Sequence, residues 1–223
     1  MSSPQTKGLQ KTGGGLLIVA GLLYLVNFAL LIVIGNPPRD GALLLKTVAP
    51  QTTYEITIIV FFVIDTLLVP AVAALCIVLR EGNGTYAMVG GILALVALAV
   101  DLVNSVVAYS LIGLAGSYAS ATTDASRAAY AVTAELILRV TYDTGTPFFI
   151  ILFSVAILIT SVVMLKGIFP KIVAYLGLVA GVLGILGGLA GFIPVVIFWP
   201  VWFIAAGTQL YRLGRSVPGA QST

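Results

Sequence analysis

Two aspartates, Asp65 and Asp101, each lie inside a long apolar run of this 223-residue chain. A carboxylate at bilayer depth costs several kcal/mol unless it is paired or neutralised, so an intramembrane acid marks a functional site by default. Asn104 follows Asp101 by one helical turn and shares its face. Asn27 stands in an earlier apolar run. Two carboxyls with amide oxygens are hard ligands, better suited to a proton or a small hard cation than to a soft metal. Three readings stay open. The group is an interhelical hydrogen-bond cluster, its acids held neutral or paired with Arg139 or Lys46 reaching in. It is a proton or cation site. Or it is a pocket for a polar solute or lipid headgroup.

Catalysis has little to build on. Paired carboxyls occur in hydrolases, but nothing else in the chain forms a nucleophile or an oxyanion site. The sequence has no histidine and a single cysteine, Cys76, inside an apolar run. Histidine general bases and haem ligands, disulfides and cysteine clusters are thereby excluded. No catalytic residue, metal ligand or cofactor is assigned, and Cys76 reads as a small packing residue.

The elements that carry these residues are membrane spans. Hydrophobic residues make up 60% of the chain and charged ones 9%, with a mean hydropathy of +1.13. The expected fold is all-α: one bundle of six transmembrane helices over residues 13–213, with tails at 1–12 and 214–223. The spans read as about 13–35, 55–79, 86–112, 147–165, 172–191 and 194–213. The first reads as a retained span rather than a cleaved signal peptide. Pro70 is expected to kink span two, and Arg80–Thr85 to form a short polar turn whose Asn83-Gly84-Thr85 sequon faces the cytoplasm.

The stretch 113–123, rich in Gly, Ser, Ala and Thr, reads as a loop. Asp124 or Ser126 then caps a helix over about 126–142. Arg127, Glu135, Arg139 and Asp143 share one face of it. It is too polar for a good span and reads as an outer interfacial helix or an outward extension of span four. Gly145 and Pro147 are expected to break it.

The basic residues set an orientation. Lys7, Lys11, Arg80, Lys166, Lys171, Arg212 and Arg215 fall on one side of the bundle, opposed only by Glu81. The other side mixes Arg39, Lys46, Arg127 and Arg139 with five acids. The positive-inside bias puts both termini in the cytoplasm, which six spans allow. Asp65 then lies roughly 15 Å and Asp101 roughly 18 Å below the outer ends of their spans. With Asn27 and Asn104, they reach similar levels in the outer half. The dispersed positive charge gives no support to nucleic-acid binding.

Gly177, Gly181, Gly184, Gly188 and Gly191 step by four, three, four and three along one face of span five. Such a stripe lets another backbone approach closely. It serves packing within the chain, or a homomeric or heteromeric subunit interface. Trp199 and Trp202 share a face of span six and read as part of an interfacial aromatic belt, or as a stacking surface for a flat ligand such as a carotenoid or quinone.

The C-terminal half resembles an uncharacterised prokaryotic family of six-span membrane proteins, known only as a domain of unknown function. Three stretches carry the resemblance: Met164–Lys171, Leu176–Gly181 and Trp202–Gly214. It implies a six-helix bundle in the prokaryotic cytoplasmic membrane and no agreed activity. The residues point first to a non-catalytic accessory or assembly subunit partnered by the bilayer. A small transporter or channel built on Asp65 and Asp101 is the alternative. The six spans show no internal repeat of the kind common in transporters.

Overall fold

The computed structural model describes residues 4–48, 52–191 and 196–215, and among these every regular element is helical. The elements are α1 (Pro4–Ile34), α2 (Gly41–Val48), α3 (Thr52–Ser120), α4 (Asp124–Leu138), a π-helical segment (Arg139–Gly145), α5 (Thr146–Leu165), α6 (Lys171–Ala190) and α7 (Phe198–Arg215). Four helical stretches are long and apolar enough to cross a membrane: Thr6–Ile34, Thr52–Ser120, Asp124–Leu165 and Lys171–Ala190.

At 69 residues, α3 would reach about 100 Å if straight, three times the hydrocarbon thickness. It is not straight. Asn83 leaves the helical region (φ −157°, ψ 96°), and the arms 52–82 and 84–120 fold back on each other. A Cβ on Gly91 would overlap the Cys76 sulfur, and the Tyr109 hydroxyl donates to Glu55 Oε1 at 3.1 Å. Both pairs straddle Asn83 almost symmetrically, as an antiparallel hairpin requires. Its turn lies beside the turn between α5 and α6, where a Cβ on Gly82 would sit 3.7 Å from Gly167 Cα. The two turns thus mark one common level, the Asn83 end of the bundle.

Close backbone approach holds the other pairs. On α1, a Cβ on Gly14 would come within 2.6 Å of Gly207 O, and one on Gly21 within 3.0 Å of Pro200 O, both on α7. Gly214 meets Lys7 and Lys11 in the same way. This contact explains why α1 begins at Pro4, nine residues before the apolar run. Residues 4–12, expected as a tail, are the turns that seat the end of α7.

Beyond the main core lies a second, distal one, built from Leu44 and Leu45 of α2, Tyr54 and Leu111 of α3 and Leu138 of α4. Several local expectations change here. The Gly- and Ser-rich stretch continues α3 as helix to Ser120, where the Ser117 and Ser120 hydroxyls return to Gly113 O and Gly116 O. Thr123, rather than Asp124 or Ser126, caps α4 by accepting from Ser126 N at 3.2 Å. Pro70 sits within α3, whose arm stays helical through it. Gly145 and Pro147 do not break the next helix. The π-helical segment absorbs an extra residue, with Thr146 N donating to Thr141 O, and Pro147 follows directly on that segment, whose altered hydrogen-bond register accommodates a residue without an N–H. The helix from Asp124 to Leu165 is therefore continuous over 42 residues. At about 63 Å it far exceeds the hydrocarbon core. Thus α4 extends α5 outward, and it is not a separate interfacial helix.

The expected charge-free hairpin between spans five and six falls at residues 192–195, outside the described residues, apart from Gly191. That glycine caps α6 in the left-handed region (φ +66°). Most of the expected C-terminal tail, residues 216–223, also lies outside them.

Candidate functional site

Asp65 and Asp101 stand eighteen residues to either side of Asn83, so the α3 hairpin brings them opposite one another. The two acids are close enough to interact, and Asn104 is close enough to interact with Asp101. Asp65 is buried, Asp101 and Asn104 half-buried. Among the described residues no N–H or O–H bonds to either Asp65 oxygen, and Asn104 Nδ2 is likewise without a partner. Asp65 thus interacts with Asp101, and Asp101 with both Asp65 and Asn104.

Asn104 has an unusual neighbour. A Cβ on Gly145 would overlap its Oδ1 and come within 2.5 Å of its Nδ2. Only a glycine at the end of the π-helical segment lets the amide fit there. Irregular backbone of this kind recurs at functional sites. Across the bundle, the Tyr24 phenol of α1 comes within electrostatic reach of both acids. Its ring is packed by Phe61, Trp199 and Phe203 at centroid distances of 5.8, 6.3 and 6.3 Å. Sequence reasoning missed Tyr24. The available signal was its place one turn from Asn27 on the same face.

The site differs from expectation at three points. Arg139 and Lys46 are exposed, and among the described residues neither forms an ion pair with Asp65 or Asp101. Their side chains belong to the distal surface, which the long helices carry away from the acids. Asn27 is fully buried, but neither of its amide atoms is hydrogen-bonded, so it does not bind the pair directly. Trp199 and Trp202 face the core at 0% and 3% exposure and are not belt residues. Trp199 packs edge-on to Phe149, centroids 5.6 Å apart.

The glycine stripe explains how those indoles are held. Cβ atoms on Gly177 and Gly184 would overlap Ser161 Oγ and Ser154 Oγ, with Trp202 Nε1 and Trp199 Nε1 close by. Gly181 and Gly188 pack against Leu158 and Ile151 of α5. Four of the five glycines thus fill their face with α5 of the same chain, which removes the surface a subunit interface through this stripe would need. Gly191, at the helix end, touches nothing within 4 Å.

The common level of the turns gives a depth. At helical rise Asp65 and Asp101 lie about 27 Å from the Asn83 turn. Asn104 lies 21 residues from Asn83 and Gly145 21 from Lys166, so both helices give about 31 Å for their contact. These values match the hydrocarbon thickness of about 30 Å. In a hydrocarbon core of that thickness measured from the Asn83 turn, the acid pair would lie near the opposite rim. Two buried carboxyls without a counter-ion are costly unless they share a proton or hold a cation. Among the described residues no group of three or more His, Cys, Asp or Glu side chains could hold a metal ion.

The family described as a domain of unknown function (DUF4386) matches residues 12–213. The chain belongs to this family, and the match extends the resemblance from the C-terminal half to nearly the whole chain. No curated protein and no solved structure matches it.

Proposed function

We propose that this is a non-catalytic, six-span membrane protein that exchanges a proton or a small hard cation at the Asp65–Asp101 pair. The carrying observation is the pairing of a buried Asp65 with a half-buried Asp101, neither with a cationic partner among the described residues. The six crossings are α1, the two arms of α3, α4 with α5, α6, and α7. The basic bias puts the Asn83 turn and both termini on the cytoplasmic side, so the pair exchanges with the outer side, whose rim is nearest. Asn104 and Gly145 line that approach.

The test is flux in proteoliposomes under a pH or cation gradient. Asp65→Asn and Asp101→Asn are expected to abolish it while helicity and monodispersity persist. Equal flux in both variants and the parent would overturn the reading.

An assembly role remains a second reading because of one feature. Val132 and Leu136 of α4 are 66% and 61% exposed, though they lie about 14–20 Å beyond Gly145 and outside the hydrocarbon. Native mass spectrometry after mild extraction would give a stoichiometric partner on this reading and the bare chain without it.

A further inference from the structure

On the distal surface, Arg39, Glu135, Leu138, Arg139 and Asp143 line a cavity of about 280 Å3. Arg39 is paired with Asp143. The other two charges are not paired. Glu135 precedes Arg139 by four residues, the order that favours a helical ion pair, yet no such pair forms. Glu135 Oε1 accepts from Gly41 N at 3.3 Å, and the Arg139 guanidinium has no partner among the described residues. The cavity thus offers one available cation and one available anion a helical turn apart.

Its depth is informative. Arg139 lies six residues beyond Gly145, about 9 Å at helical rise. That is the outer edge of the headgroup layer, which adds about 5–8 Å on each face, and the long Arg139 side chain can reach back into it. Below the cavity on the same continuous helix, Val140 and Phe148 are exposed and lead into the apolar zone.

We propose that this cavity binds a phosphoethanolamine headgroup, the phosphate on Arg139 and the primary ammonium on Glu135, with the lipid's chains running past Val140 and Phe148. A glycerol headgroup can offer Glu135 hydroxyls but no positive charge, and a choline headgroup has the charge but no N–H to donate to it. The proposal needs the helices to cross a bilayer but is independent of the acid pair.

The test titrates delipidated protein with phosphatidylethanolamine, phosphatidylglycerol and phosphatidylcholine of identical chains, read by native mass spectrometry. Phosphatidylethanolamine should be retained about tenfold more, the effect of one charged hydrogen bond. Glu135→Gln should erase that preference, Arg139→Gln should weaken retention of all three lipids, and Arg127→Gln, exposed on the same helix but outside the cavity, should change neither. Glu135→Gln preserves the acceptor for Gly41 and carries the test if Arg139→Gln fails to fold. Soluble glycerophosphoethanolamine separates the sources: displacement of the lipid shows the headgroup suffices, and persistence shows the chains are needed. Equal retention of all three lipids by the parent, an unchanged preference in Glu135→Gln, or unchanged retention in Arg139→Gln would overturn the proposal.

Discussion

Gly145 decides where the Asn104 amide sits, because a single methyl there would overlap it. Gly145→Ala is expected to cost about 1–3 kcal/mol, as overpacking does, and to shift Asn104 away from Asp101. Thermal unfolding reads the first effect and the reactivity of Asp101 the second. The acids behave in the opposite sense. Asp65→Asn removes a buried carboxyl that has no hydrogen-bond donor, so the variant should melt no lower than the parent while losing exchange. A large drop in melting temperature would instead mark Asp65 as structural cement. At this scale the sequence was partly legible. Asp65, Asp101 and Asn104 stand out because polar atoms in an apolar run are anomalous at once. Tyr24 does not stand out, since it sits mid-span, where its ring packs like any other apolar side chain and gives no sign of where its hydroxyl points. Arg139 and Lys46 misled because helix length, which set their distance from the acids, depends on where the helices end.

Helix lengths are what the sequence hid at the scale of elements. Hydropathy shows where a segment is apolar, not where its backbone bonds stop. Residues 113–120 and 4–12 are therefore helical despite their small or polar side chains. The Gly145–Pro147 region continues as helix because a π-helical segment accommodates the proline, an arrangement composition does not announce. The glycine stripe was legible as a contact face but silent about its partner, which is α5. Gly184→Ala should destabilise the fold by about 1–3 kcal/mol. Adding Ser154→Ala, which removes the hydroxyl in the way, should recover much of that. Additive losses in the double mutant would contradict the contact. Gly41→Ala belongs here too. Its methyl would overlap Ala131 O of α4, so hydrogen exchange of α2 should quicken while α5 and α6 stay protected.

The whole molecule is a bundle in which α1, both arms of α3 and the continuous α4–α5 helix are longer than the hydrocarbon is thick, with its second core at the end away from the Asn83 turn. Two turns at one level and a 21-residue ruler on two separate helices are the basis for the proposed depth of the acid pair. With Cys76 replaced by serine, an impermeant maleimide should label Gly84→Cys from one side of a vesicle and Ser126→Cys from the other. Labelling of both from the same side would overturn the six-span arrangement. The central claim is that the buried carboxyl pair exchanges its proton or cation with the surface. Its most direct test is modification of the folded protein by dicyclohexylcarbodiimide, which attacks protonated carboxyls in apolar surroundings, mapped by peptide mass spectrometry. The expected result is modification at Asp65 or Asp101 that declines as pH rises or as a bound cation displaces the proton. Modification unchanged by pH and by every cation, or no reaction at either carboxyl, would contradict it.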